Sequence, residues 1–377
     1  MPPTIVRGLS YNDVWLKPRR TSFARNDVDM TTRLMRGVDL RKPFISAPMD
    51  TVTDGRSAFC LANEGCIGIV NRSYTIEDQY NQVKMVSDWG LPVGAAIDVT
   101  TSYTERLEAL IAAGITLLVA DSAHGHQDVL IEAIKAIRSG YPLLPIMAGN
   151  TATYEGTLAL FIAGADCARI GMGPGSICTT RLVSGMGVPQ VTALIDAQRA
   201  ALEFGNNVTF VADGGIHFLG DSVKALALGA SAVMMGSQFA GCTESPAPWI
   251  RVRAKDVPDI YKWILRKGAH SYWFRGYRGM GSAAALKHGR ETRSGSEFHG
   301  KAYDSKRTFV AEGVEGSVPW TGTIQELAGK MSSALESGMF YTGSQTLARL
   351  AEDPVFYEGS ANVLAESLPH DIWVTPF

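Results

Sequence analysis

The segment Cys167-Ala168-Arg169-Ile170-Gly171-Met172-Gly173-Pro174-Gly175-Ser176-Ile177-Cys178-Thr179-Thr180-Arg181 joins a short, mostly apolar run to a glycine-rich turn. A four-residue run of this kind, stopped by glycine, reads as a strand buried on both faces. The same unit recurs outward in both directions. Apolar runs at 44–47, 67–70, 93–97, 117–120, 145–148, 167–170, 209–212 and 232–235 each lead through a turn rich in Gly, Asp, Asn or Ser into a helical stretch. At 101–113, for example, Leu107, Leu110 and Ile111 share one helical face and Gly114 stands where the helix should stop; Gly164 and Gly229 close later helices in the same way. Eight strands alternating with helices predict a parallel sheet covered by helices, closed or open. The count of eight favours an α/β fold of the (β/α)₈ TIM barrel type.

A chain of 377 residues suits one such barrel spanning 1–377 as a single catalytic domain. After Ser237 the rhythm breaks, and about 239–310 reads as an insertion and flap after the eighth strand, lying over the barrel mouth. A last helix is expected over 323–337, with Ile324, Leu327, Met331 and Leu335 on one face, and an irregular surface tail from Ala351.

The composition is 46% hydrophobic and 19% charged, which provides material for a large core. A formal net charge of −2 argues against a polyanion binder, so no nucleic-acid partner is expected. The basic, aromatic stretch from Trp249 to Arg278 reads instead as a lid or an oligomer contact. No apolar run reaches the ~20 residues of a membrane span, and Met1-Pro2-Pro3-Thr4 opens no leader pattern, so the expected location is cytoplasmic, with no membrane partner. Five cysteines without CxxC spacing fit a reducing compartment.

Polar residues gather just past the strand ends: Asp50, Asn71-Arg72, Asp98, Asp121-Ser122-Ala123-His124, Gly149-Asn150, Gly171 to Cys178, Asp213-Gly214-Gly215 and Gly236-Ser237. In a barrel these loops converge on one face, where chemistry is placed. Three of them are glycine turns that bring backbone N–H groups close to a ligand, and two follow the seventh and eighth strands, the usual barrel position for a phosphate. Cys178 is the one cysteine in a polar, glycine-rich loop. Backbone N–H groups and Arg181 nearby are a setting that lowers a thiol pKa and makes a nucleophile. Cys60, Cys66 and Cys167 read as small buried hydrophobes, and His124-Gly125-His126 as a structural or cofactor contact rather than a metal site.

These motifs, with Ser46-Ala47-Pro48-Met49-Asp50, Tyr277-Arg278-Gly279-Met280-Gly281-Ser282 and Glu312-Gly313-Val314-Glu315-Gly316, resemble those of the inosine-5′-monophosphate (IMP) dehydrogenase and guanosine-5′-monophosphate (GMP) reductase family. The resemblance implies that Cys178 attacks C2 of a purine 5′-monophosphate and that Thr180 and Glu312 handle protons. It implies that Ser176, Gly214, Gly215, Gly236 and Ser237 hold the phosphate and Asp213 the ribose, while Ser46, Met49, Tyr277, Gly279, Met280 and Gly281 meet the rest of the nucleotide. Asp121, Ser122, Asn150, Arg169, Gly171, Met172 and Gly173 would line the side of an NAD (or NADP) cofactor. Carbonyls of Gly171, Gly173 and Cys178, completed by Glu366, Ser367 and Leu368 of a neighbouring subunit, would bind K⁺, which implies a homotetramer.

The chain passes directly from Val86 to Leu91, with no room for the paired CBS modules that such dehydrogenases usually carry there. Between Gly289 and Glu312 no Arg-Tyr dipeptide occurs, and Arg293, followed by Ser294, stands at the position of the family's water-activating arginine. Oxidation of IMP to XMP with NAD⁺ is the favoured reading. A GMP reductase-like enzyme acting on GMP or a modified purine nucleotide is the alternative, and a catalytically silent paralogue the third.

Overall fold

The computed structural model describes residues 3–99, 102–205, 207–292, 310–360 and 362–372. Eight parallel strands close into a barrel: β1 (Phe44–Ser46), β2 (Ile67–Val70), β3 (Gly94–Ile97), β4 (Leu117–Asp121), β5 (Ile146–Thr151), β6 (Cys167–Ile170), β7 (Thr209–Asp213) and β8 (Ala232–Met235). All eight fall on the predicted runs. Closure is completed by β8 pairing with β1 through Val233↔Phe44 and Met235↔Ser46.

Successive residues of a strand face opposite sides, and both sides here are covered. Leu117 and Val119 belong to the cluster that fills the barrel, whereas Leu118 and Ala120 pack outward against the helices. That is why the strands read as continuous rather than alternating apolar runs. One end of the barrel is plugged by the antiparallel pair Thr32–Met35 and Val38–Leu40, whose Leu34, Met35, Val38 and Leu40 join the inner cluster. The other end remains for the site.

The helices between the strands start and stop on identifiable residues. The Asp54 carboxylate accepts from the Ser57 N–H at 2.8 Å at the start of helix Gly55–Asn63, and Thr323 and Glu326 form a reciprocal cap on helix Ile324–Tyr341. Helix Tyr154–Ala163 ends at Gly164, whose φ of 108° lies in the left-handed region that favours glycine.

The structure departs from the sequence reading in three places. The helix expected over 323–337 runs on to Tyr341 and is not the last, since the short helices Leu347–Ala351 and Val363–Ser367 follow it. The tail after Ala351 contains strand Phe356–Glu358, paired antiparallel with Val14–Leu16 from the other end of the chain. Within 239–310, strands Trp249–Arg253 and Ser271–Arg278 form a three-stranded antiparallel sheet with Glu315–Pro319. This insertion was hidden because its central strand buries Arg275, 1% exposed, with its guanidinium 3.9 Å from the Trp249 ring centroid. A cation in a buried position defeats an alternation-based reading.

Candidate active site

The loop after β6 carries Cys178 and is stitched to two distant segments by backbone hydrogen bonds. The Thr179 N–H donates to the Glu312 carbonyl at 2.9 Å, the Val314 N–H to Ile177 at 2.9 Å, the Gly279 N–H to Val314 at 3.0 Å and the Glu312 N–H to Gly281 at 3.2 Å. Three stretches far apart in the chain, around residues 178, 280 and 313, thereby become one surface. On it the Cys178 Sγ lies 3.3 Å from the Thr180 Oγ1, and the Thr180 hydroxyl donates to Glu312 Oε2 at 3.0 Å. Sulfur, hydroxyl and carboxylate stand in a row, the order in which a proton can be passed.

Arg181 does not sit as the sequence suggested. Its guanidinium donates to the carbonyls of Met172 and Val188, bracing the loop rather than facing the thiol. Among the other cysteines, burial pushes the thiols of Cys66, Cys167 and Cys242 up to about 12, which keeps them protonated and inert.

Ser176, Gly214, Gly215, Gly236, Ser237 and Tyr277 line one small cavity together with Gly175, Ile216, His217 and Met235. Among the described residues this lining holds no arginine or lysine, so an anion would be met by backbone N–H groups, hydroxyls and His217. Gly236 is required by space: a Cβ there would lie 2.3 Å from the Tyr277 hydroxyl. Tyr277 is buried, which raises its pKa, and its hydroxyl lies 4.0 Å from the Met49 Sδ. Strand Ser271–Arg278 of the insertion therefore delivers a site residue. Its end is fixed by Arg278, which donates from Nε and Nη2 to Asp50 Oδ2 at 3.0 and 2.5 Å. Ser46, fully buried at the end of β1, accepts from the Thr53 hydroxyl at 2.7 Å, so it shapes the wall from behind.

Along the mouth from β4 to β7, Asp213, Arg169, Asp121 and Asn150 form a connected group. Arg169 donates from Nε to Asp213 Oδ2 at 2.8 Å and from Nη1 to Asp121 Oδ1 at 2.6 Å, while the Asn150 amide donates to Asp213 Oδ2 at 2.8 Å and to the Gly171 carbonyl at 2.9 Å. Gly171 packs so closely on β7 that a Cβ would lie 2.2 Å from the Asp213 carbonyl oxygen. The Ser122 N–H donates to the Gly149 carbonyl at 2.7 Å, and its hydroxyl accepts from Gln127.

The sequence reading named Arg72 and Asp98 only as polar residues near the mouth. In the structure Arg72 bridges Asp98 and Asp121. Neither residue carries a local signal for this pairing, because the barrel brings the two loops together. Met172 and Gly173 lie in the Cys178 loop, and Gly279, Met280 and Gly281 form the turn that docks on it. Glu366, Ser367 and Leu368 are exposed at the end of helix Val363–Ser367, with no hydrogen bond to the Cys178 loop among the described residues. Arg293 lies outside the described residues.

The family model described as IMP dehydrogenase / GMP reductase domain matches residues 8–370. The chain is 35% identical to an inosine-5′-monophosphate dehydrogenase of Borreliella burgdorferi, with 99% of both chains covered, and 31% identical to one of Bacillus subtilis, covering 98% of this chain and 96% of the relative. A Streptococcus pyogenes enzyme of the same name gives the same values as the second.

Proposed function

Since the chain belongs to the IMP dehydrogenase / GMP reductase family, we propose that it oxidises IMP to XMP with NAD⁺ through a covalent intermediate on Cys178. The observation that carries this reading is the row of Cys178, Thr180 and Glu312 set beside a glycine-lined cavity.

Ser176, Ser237 and the N–H groups of Gly215 and Gly236 hold the 5′-phosphate, with Gly214 shaping the turn through its N–H bond to the Met234 carbonyl and Asp213 on the ribose. Contacts remote from the reacting carbon give orientation. With the nucleotide seated against Met49, Tyr277 and the turn of Gly279, Met280 and Gly281, the Cys178 sulfur adds to C2. Thr180 and Glu312 take up the thiol proton. NAD⁺ supplies a hydride acceptor for the hydrogen on C2, and the charged arc of Asp121, Ser122, Asn150 and Arg169 faces it. Water then attacks C2, a C–O bond forms, the C–S bond breaks and the thiol is restored. The Thr180–Glu312 pair, once it has returned its proton to the leaving sulfur, or Arg293 on the flap, draws the proton from that water.

The donor set also suits K⁺. Carbonyl oxygens of Gly171, Gly173 and Cys178 are hard, neutral ligands of the kind that replace an alkali ion's hydration shell. Glu366, Ser367 and Leu368 are exposed on their own chain and would complete the shell of a neighbour in a homotetramer. Among the described residues no helix is long and apolar enough to cross a membrane, and the cytoplasm is the proposed location. The single-domain organisation rests on the short connection from helix Ile76–Ser87 to β3.

Steady-state assays test this directly. IMP with NAD⁺ should yield NADH and XMP, stimulated by K⁺. Consumption of NADPH with GMP and no reaction with IMP would sink the dehydrogenase reading in favour of the reductase. Missing the Arg-Tyr pair, the flap is the feature that favours this second outcome.

A further inference from the structure

The proposed chemistry leaves Arg72 and Asp98 without a task. Around the mouth, six consecutive strands each contribute one member of a continuous polar chain: Arg72 follows β2, Asp98 follows β3, Asp121 ends β4, Asn150 lies in β5, Arg169 in β6 and Asp213 ends β7. Arg72 donates from Nε to Asp121 Oδ2 at 2.9 Å and from Nη1 to Asp98. Arg169 takes the other Asp121 oxygen and reaches Asp213. Three carboxylates and two guanidiniums alternate, and each side chain is only 10–16% exposed. Burial works against the charge on both arginines, yet their carboxylate partners outweigh it and hold both pKa values above the ordinary one.

The distribution of bonds along this chain is uneven. Asp121 has both oxygens occupied by guanidiniums. Asp213 uses Oδ2 twice, for Arg169 and Asn150, and its Oδ1 accepts no hydrogen bond among the described residues. A guanidinium facing a carboxylate prefers to take both oxygens. Arg169 is kept from doing so because its Nη1 is committed to Asp121, and Asp121 is fixed in turn by Arg72 from the other side.

We infer that Arg72 is a positioning residue which, by holding Asp121 against Arg169, keeps Asp213 Oδ1 free for the nucleotide ribose. Asp98 fixes the far end of Arg72. The inference rests on the reading of Asp213 as a ribose ligand. A lysine would not replace Arg72, since a point charge on a flexible stem does not hold two carboxylates at a set angle.

The test is IMP binding to the full-length protein by calorimetry, with steady-state kinetics alongside, for the wild type, Arg72→Gln, Arg72→Lys, Asp98→Asn and Asp213→Ala. Arg72→Gln should raise the Kd and KM for IMP roughly 3- to 30-fold, the span of coupling between groups in one network. Arg72→Lys should recover little of the loss. The kcat at saturating nucleotide should fall less than the KM rises, a split that general loosening of the barrel does not produce. The discriminating comparison is the double variant: on an Asp213→Ala background, Arg72→Gln should cost nothing further. Equal losses on both backgrounds, or an Arg72→Gln protein that binds IMP like the wild type, overturn the inference. Should Arg72→Gln fail to fold, Asp98→Asn, which leaves the Arg72–Asp121 contact in place, must show a smaller loss of the same kind that also vanishes with Asp213→Ala; no loss overturns the inference. If Asp213→Ala itself leaves IMP binding unchanged, the ribose assignment falls, and the inference with it. If Asp213→Ala weakens binding and Arg72→Gln does not, only the inference falls.

Discussion

Along the arc formed by the loops after β6, β7 and β8, the barrel mouth offers glycine backbone, two serine hydroxyls and the Cys178 loop, and among the described residues the lining of the glycine-rich cavity holds no arginine or lysine. Along the arc from β2 to β5, continued by Arg169 and Asp213, it offers carboxylates and guanidiniums that bond mainly to one another. The first arc uses only part of its donors internally, the Gly214 N–H going to the Met234 carbonyl at 3.2 Å, so a ligand can take up the rest. The second spends nearly all of its charge internally, and what it gains is orientation: one carboxylate oxygen left open among many that are tied. Paired groups already held in place lose little to reorganisation when substrate arrives.

Substitutions should separate the two arcs. The largest effect belongs to the first. Cys178→Ala should lower turnover by on the order of 10³-fold or more, as loss of a covalent nucleophile does, while calorimetry still finds IMP bound, because the phosphate contacts do not pass through the thiol. Retained turnover would remove the covalent step. Glu312→Gln should slow turnover by about 10²–10⁴-fold, the worth of a positioned acid or base, with KM for IMP little changed; an equal rise in KM would make Glu312 a binding residue instead. On the second arc, Asp213→Ala should weaken IMP binding by about 1.5–3 kcal/mol, the range for a lost charged hydrogen bond, read as a Kd shift in a protein of normal circular dichroism. An unchanged Kd would erase the distinction between the arcs. Smallest is Gly236→Ala. Its new methyl would meet the Tyr277 hydroxyl, and the displaced ring should cost about 1–3 kcal/mol of overpacking, seen as a lower Tm and a raised KM for IMP. A neutral result would mean that Tyr277 moves aside freely.

The barrel was legible in the sequence because strands buried on both faces leave unbroken apolar runs, and because Gly164, Gly114 and Gly229 punctuate the helices. Cys178 stood out by context, in a glycine loop where the other cysteines sit among apolar neighbours. What escaped depends on contacts between segments far apart in the chain. The Arg72–Asp98 pair, the Asp50–Arg278 pair and the strand formed by Phe356–Glu358 on Val14–Leu16 carry no local mark. The insertion was unreadable for a different reason. Its first strand, Trp249–Arg253, is largely exposed and its second buries an arginine, so neither face shows the period that an apolar core imposes. Yet that second strand supplies Tyr277 and Arg278, and a reading confined to the barrel would leave the glycine-lined cavity without one wall.

The proposed chemistry centres on a purine nucleotide bound through sulfur to Cys178. Rapid mixing of the protein with IMP and NAD⁺ and K⁺, quenched within the first turnover and read by intact mass, tests that most directly. The predicted result is a burst of NADH approaching one per chain, accompanied by a nucleotide-sized mass increase that peptide mapping assigns to Cys178 and that is absent from Cys178→Ala. Steady XMP formation with no burst and no adduct at any quench time would contradict it.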